Sequence, residues 1–307
     1  SFLKENNLSL VFSTLNTYLT ILSMLPCLFF LYVNSIMVFA LLRKPLLLET
    51  PRYILFAHLL FTESIQLMLT MLLYIFAVTT VQIIGYVCIA VTQFAAITIR
   101  MSPLNLAAMS LERYIVISFP LRHTTISTPR MAGVAILVIW TVASLDTFIQ
   151  IFMFVSLKSN SYSSQGICKR NSVFQLHVFV IIDRAFTVVN FVLVTTIVLY
   201  TYIAVMITAM TSLERSINKA HKTLLLHLFQ LCLCLVSTTF DMIDSSELLT
   251  LDRAMAIDVQ FVLFLSLIIF PKCLSPLIYG LRDHNLKHSF KYHFTFGCIS
   301  TVTPYPG

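Results

Sequence analysis

An all-α bundle of seven membrane-crossing helices is the fold this chain predicts, and three observations carry the expectation. Of its 307 residues, 58% are hydrophobic and only 11% are charged, where a soluble domain carries about a quarter. Seven segments, roughly 19–43, 52–76, 86–114, 132–156, 178–209, 220–244 and 256–280, reach the ~20 largely apolar residues that a span needs. The basic residues collect on alternate connections between those segments. No run shows strand alternation, so each span should be a helix, the form that satisfies its own backbone polar groups in lipid. The connections are short and free of repeats or low-complexity tracts, so residues 1–307 are expected to form one domain. It divides into an N-terminal segment (1–18), the bundle (19–280) and a tail (281–307). No small-residue cleavage pattern precedes the first span, which argues for an uncleaved span over a signal peptide.

The connections give the orientation. Arg43, Lys44 and Arg52 lie between spans one and two; Arg113, Arg122 and Arg130 between three and four; Arg215, Lys219 and Lys222 between five and six; Arg282, Lys287 and Lys291 after seven. The other side holds only Lys4, Lys158, Lys169, Arg170 and Arg253. The positive-inside rule then places the N-terminus outside and the C-terminus in the cytosol. The net charge of +7 is thus explained by membrane orientation and does not indicate a nucleic-acid partner. Asn7-Leu8-Ser9 becomes an N-glycosylation sequon on the outer side. Cys27, Cys232, Cys234, Cys273 and Cys298 fall in spans or the inner tail, whereas Cys88 and Cys168 share the oxidising outer side, where a disulfide is favoured over two thiols. His221 and His227 stand six apart on different helical faces, which offers no metal pair.

Taken in order, span one ends on Arg43 and Lys44, and span two opens at Pro51 and carries Glu63 near its middle. Span three runs from Cys88 to the adjacent Glu112 and Arg113, about 37 Å at ~1.5 Å per residue, a membrane thickness. One helix therefore presents a cysteine outside and an acid–base pair at the inner surface. That pair can be solvated by snorkelling, or each member can hold the other neutral until a cytosolic partner separates them. Arg100 lies in the outer half of the same span, and Pro103 below it removes a backbone bond and should kink the helix. Span four contains Trp140, and span five opens near Asp183. Span seven carries Lys272, costly in lipid by about 2.5–3.5 kcal/mol unless it faces the interior and finds a partner. Beyond Tyr279, Leu286, Phe290 and Phe294 recur every four residues with Arg282, Lys287 and Lys291 off that stripe. This predicts an amphipathic helix on the inner leaflet, its cations near anionic lipid, with Cys298 either palmitoylated or a free thiol.

Four motifs carry a family resemblance. "MSLERYIVISFPLRH" (109–123), "KAHKTLLLHL" (219–228), "SPLIYGLRDHNLK" (275–287) and "PRYILFAHLLFTES" from Pro51 resemble the signatures of odorant receptors, of the fish type, within the rhodopsin-like G-protein-coupled receptors. The matches run in order from Pro51 to Lys287 and on the expected sides. The resemblance implies a receptor that binds a small-molecule odorant between its outer helix halves, with no cofactor and no enzymatic activity. Binding would favour a conformer open at the cytosolic face, raising cyclic AMP through an olfactory stimulatory heterotrimeric G protein. It implies that Arg113 is freed from Glu112, beside Tyr114, to meet the G protein, and that Tyr202 and Tyr279 steady the open form. Trp140 matches the family's tryptophan in span four. The expected address is the plasma membrane of olfactory sensory neurons.

Several positions depart from the family pattern. Ser275 replaces the asparagine of the Asn-Pro-x-x-Tyr motif, Cys234-Leu235-Val236 stands where relatives carry Phe-Tyr-Gly, and Glu63 replaces an aspartate that helps hold sodium in many relatives. The family packs the stretches around Glu63 and Lys272 together, so the Lys272 ammonium is expected to take sodium's place and pair with Glu63; the alternative is two unrelated buried charges. Arg100 sits at the depth of family ligands with no acid beside it in span three. It either pairs with an acid of another helix, for example Asp183, or anchors an anionic odorant. The expected pocket face comprises Ala95, Ala96, Ile99 and Arg100 on span three, and Phe186, Thr187 and Asn190 on span five. Thr238, Thr239 and Met242 on span six complete it with Leu265 and Ile268 on span seven, a mostly apolar lining with a few polar groups.

Other classes compete poorly. A secondary transporter would show internal repeats and paired broken helices, and only Lys272 with Glu63 points that way. A membrane enzyme would need a nucleophile–base set or metal-spaced ligands, which the chain lacks. A rhodopsin-like receptor for an internal lipid or other small ligand is the nearest alternative. An amine receptor is disfavoured, since Ala95 and Arg100 stand where a pocket acid would be needed.

Overall fold

The structure, a computed structural model, describes residues 24–43, 45–78, 82–83, 85–119, 127–156, 166–167 and 177–211, with positions 225, 228, 229, 232 and 233. Five helices long and apolar enough to cross a membrane lie within them. They are α1 (Met24–Leu42), α2 (Pro51–Val78), α3 (Gly85–Ser118), α4 (Pro129–Ser156) and α5 (His177–Thr211). These are the first five expected spans, each within a few residues of the bounds read from the sequence. Spans six and seven and the amphipathic tail helix lie outside the described residues, the isolated positions near 225–233 apart. A short 3-10 helix (Pro45–Glu49) links α1 to α2.

The helix starts follow from local chemistry. Pro51 and Pro129 occupy first helical positions, where a missing N–H removes no bond. Thr128 precedes Pro129 as a cap: its carbonyl accepts from Ala132 N at 3.2 Å and its hydroxyl from Met131 N at 3.4 Å. Helix α3 continues through Pro103. The all-α expectation needs one small amendment, an antiparallel pairing of β1 (Gln82–Ile83) with β2 (Gly166–Ile167), in register Gln82↔Ile167 and Ile83↔Gly166. Two residues per strand are too few for any alternation to show in a sequence.

The helices alternate in direction, as the contacts prove. One apolar cluster joins Met37 and Leu41 late in α1, Tyr53 and Phe56 early in α2, Leu106 and Met109 late in α3, and Ala132 early in α4. A second joins Met101, Leu104 and Ala107 of α3 to Ile139 and Ala143 of α4 and Val194 and Val198 of α5. Helix α3 is the most buried of the five and touches α2, α4 and α5, so it forms the central strut. One end of the strut carries Cys88 and the other Arg113.

Packing in lipid has a different energetic basis from packing in water. Tails are as apolar as leucine, so burial against a neighbouring helix gains close van der Waals contact and polar bonding rather than escape from water. Small side chains at the crossings, Ala40, Ala96, Ala107, Ala132 and Ala143, are all buried and let backbones approach. Hydroxyls within the spans turn back to carbonyls of the preceding turn: Thr92 to Cys88 (2.8 Å), Thr98 to Ala95 (2.8 Å), Ser110 to Ala107 (2.8 Å) and Thr201 to Val198 (2.9 Å). Those hydroxyls are satisfied locally and need no functional explanation. Leu137, Phe148 and Phe152 of α4 remain exposed, which suits a face toward lipid. Near the Arg113 end the Arg43 guanidinium lies 4.9 Å from the Phe39 ring and that of Arg52 lies 5.6 Å from the Tyr53 ring, cations held over aromatics where a membrane surface is expected.

Candidate functional site

Toward the Cys88 end, three helices meet around one guanidinium. The buried face of α4 is apolar in its first half, through Ala132, Ile139 and Ala143, and turns polar in its second, through Asp146, Thr147 and Gln150. Helical spacing carries that stripe past α3. There Arg100 Nη2 is bound by Asp146 Oδ2 of α4 and Asp183 Oδ1 of α5. Arg100 is 7% exposed and Asp146 1%, while Asp183 is 24% exposed. Gln150 Nε2 donates to both oxygens of Asp146 at 2.9 Å, and Gln93 Nε2 donates to Gln150 Oε1 at 2.8 Å. Thr187 donates to the Asp183 carbonyl at 2.8 Å. A charge so deep in a bundle persists only when opposite charge and hydrogen bonds surround it, and this arrangement supplies both.

Midway along the bundle a second polar chain crosses three helices. The Trp140 indole N–H can only donate, and it donates to His58 Nε2 at 3.0 Å. The other ring nitrogen, Nδ1, must then carry the proton, and it faces Asn105 Oδ1 at 2.8 Å. Asn105 Nδ2 in turn donates to the Met101 carbonyl at 3.0 Å. Every member has a defined role, so α2, α3 and α4 are pinned at one level.

At the far end, Glu112 Oε2 lies 3.4 Å from Arg113 Nε. Adjacent helical residues point about 100° apart and do not face each other, so the contact is long and lacks hydrogen-bond geometry at that oxygen. The next residue, Tyr114, packs edge-on against Tyr200 of α5 at 5.8 Å and against Phe119 at 6.0 Å.

The expected site residues fall as follows. Ala95, Ala96 and Asn190 are buried, Phe186 and Thr187 are half-buried, and Ile99 is 43% exposed. Of the two readings of Arg100, the structure takes the internal pair with Asp183 and adds Asp146. Glu63 is buried in α2; Lys272 lies outside the described residues, as do Thr238, Thr239, Met242, Leu265, Ile268, Tyr279, Cys168, Asn7 and Cys298. Cys88 is disulfide-bonded, and the pairing of Gln82 with Ile167 brings the residue before Cys168 to the strand just ahead of α3. Tyr202 is half-buried, and Tyr200, two positions earlier, packs against Tyr114. Sequence reasoning passed over Asp146, Gln150, Gln93, His58 and Asn105. The spacing of Asp146 and Gln150, four apart on the stripe of Ile139 and Ala143, was the signal that could have found the first two.

Comparison with known proteins fits this geometry. The model of the 7 transmembrane receptor (rhodopsin family) matches residues 10–279. Odorant receptor 131-2 of Danio rerio is 35% identical over 267 residues, covering 86% of this chain and 82% of that protein. Olfactory receptor 7A17 of Homo sapiens is 28% identical over 133 residues, 42% of this chain and 43% of that protein.

Proposed function

The chain belongs to the odorant receptors of the rhodopsin family of seven-transmembrane receptors, and on that premise we propose that it binds a small odorant between the Cys88-end halves of its helices and passes the event to a G protein at the Arg113 end. It is a multi-pass membrane receptor and not an enzyme. In this reading the Cys88 end faces outward at the plasma membrane of olfactory sensory neurons, with Asn7 glycosylated and Cys88 bonded to Cys168. The odorant sits among Ala95, Ala96, Ile99, Phe186, Thr187 and Asn190, closed by Thr238, Thr239, Met242, Leu265 and Ile268.

One observation carries the reading: α3 joins an arginine clamped by two other helices at one end to an adjacent acid–base pair, Glu112 and Arg113, at the other. A guest that alters how α3 meets α5 near Arg100 is coupled through a rigid strut to Tyr114 and Tyr200. It favours whichever conformer it binds more tightly. In that conformer Arg113 leaves Glu112 for the transducer, with Tyr202 and Tyr279 steadying the open face and the tail helix resting on membrane lipid. The output is a rise in cyclic AMP through an olfactory stimulatory G protein. The test is a cyclic-AMP screen in cells carrying that G protein, with acidic and neutral odorants in separate sets; silence toward every member at normal surface expression defeats the reading. The same reading pairs Glu63 with Lys272 in place of sodium, so exchanging external sodium for choline should leave agonist potency unchanged.

A further inference from the structure

The inner end of α3 is packed differently from its middle. From Met101 to Ser110 every residue but Ala108 is buried, whereas Glu112 through Ser118 are all half-buried. The buried members of the apolar cluster shared with α5 reach only to Ala107 on α3 and Val198 on α5. Beyond them Tyr114 meets two rings edge-on. Tyr200 of α5 lies 5.8 Å away between centroids with 66° between planes, and Phe119, just past the end of α3, lies at 6.0 Å and 84°. Rings so placed attract, because the positive edge of one meets the negative face of the other.

On α5 the stripe turned to the bundle is Val194, Val198, Thr201 and Val205, all fully buried. Tyr200 and Tyr202 flank Thr201 and project to either side of that stripe, each by ~100°. Tyr200 is largely exposed and Tyr202 half-buried. A turn of α5 about its axis that carries Tyr202 further inward therefore swings Tyr200 outward, away from Tyr114. The helix cannot present both tyrosines to α3 at once.

We infer that Tyr200 is a positioning residue for the switch: its ring on Tyr114 latches α5 to α3 while the inner face is closed, and parting the two rings lets α5 turn to bring Tyr202 in. Tyr114 directly follows Arg113 and touches Phe119 at the start of the connection to α4. The latch therefore steadies the helix end that bears Arg113 and the direction in which the chain leaves it. One aromatic pair biases such an equilibrium by only about two- to tenfold, which suits a contact that ligand binding has to break. The inference rests on the proposed receptor reading, which assigns Tyr202 to the open form.

The test measures basal cyclic AMP in cells at matched surface level, which needs no ligand, and backbone hydrogen exchange of the full-length receptor in lipid nanodiscs. Tyr200→Leu should raise basal cyclic AMP by about two- to tenfold, and Tyr200→Phe, which keeps the ring, should raise it less. Adding Tyr202→Phe to Tyr200→Leu should take the rise back, an opposition that a merely structural pair would not show. In Tyr200→Leu, exchange over residues 203–211 should quicken by about two- to tenfold, with residues 181–194 unchanged. Basal output that is unchanged or lower in Tyr200→Leu, an equal rise in Tyr200→Phe, or a rise that survives Tyr202→Phe, each overturns the latch. A native receptor and variants that are all silent, to the odorant screen as well, defeat the signalling reading alone. The latch is then decided by exchange, where a uniform change along α5, or none, overturns it.

Discussion

Two arginines on one helix, thirteen residues or about 20 Å apart, are held in opposite ways. Arg100 is gripped from outside its own helix, by acids of α4 and α5, and the α4 acid Asp146 is itself held by Gln150. Arg113 lies 3.4 Å from the carboxylate of its immediate neighbour Glu112, a contact made within one helix. Releasing the first means separating three helices; parting Glu112 from Arg113 needs a side-chain rotation. A helix with a fixed cation at one end and a releasable one at the other can transmit a movement without falling apart.

The largest test of that contrast is Arg100→Leu. Removing one partner from a buried ion pair typically costs about 3–5 kcal/mol, so surface expression and melting temperature should both fall sharply. Adding Asp146→Asn to Arg100→Leu should recover part of the loss, because the stranded carboxylate goes with it. Next is Trp140→Phe, which leaves His58 Nε2 without its donor and should cost about 1–3 kcal/mol, visible as a lower melting temperature at unchanged pharmacology. Gln93→Leu removes a single bond to Gln150 at the edge of the Arg100 cluster and should cost about 0.5–1.5 kcal/mol. Arg113→Ala should lower the melting temperature less than Arg100→Leu does, yet abolish the cyclic-AMP response at normal surface level. If Arg113→Ala destabilised the receptor as much as Arg100→Leu, the contrast would be wrong.

The bundle was largely legible because lipid imposes a blunt rule, ~20 apolar residues per helix. Accordingly α2 through α5 begin and end within a few residues of the spans read from the chain. The charged cluster was half legible. An arginine in a span demands an acid, and Asp183 was on offer, but reading span four as an apolar run hid Asp146. Only the 3.6-residue periodicity that places Asp146 and Gln150 on the packed face with Ala143 reveals it. The packing of Tyr114 on Tyr200 was not legible, because residues two apart point about 200° apart on a helix and motif alignment says nothing about helix rotation. The relay through His58 was invisible for a related reason: its three members come from three helices, 47 and 82 residues apart in sequence.

The clamp on Arg100 also sets a timetable for biosynthesis. Its acids are encoded later than it is, Asp183 by 83 positions, so the third segment leaves the ribosome carrying a cation whose counter-charges have not yet been made. Until the fourth and fifth segments follow, a lone arginine there costs the third segment up to about 2.5–3.5 kcal/mol, which its apolar residues have to offset. The same residue that joins three helices in the finished bundle is thus a cost to its own helix during assembly.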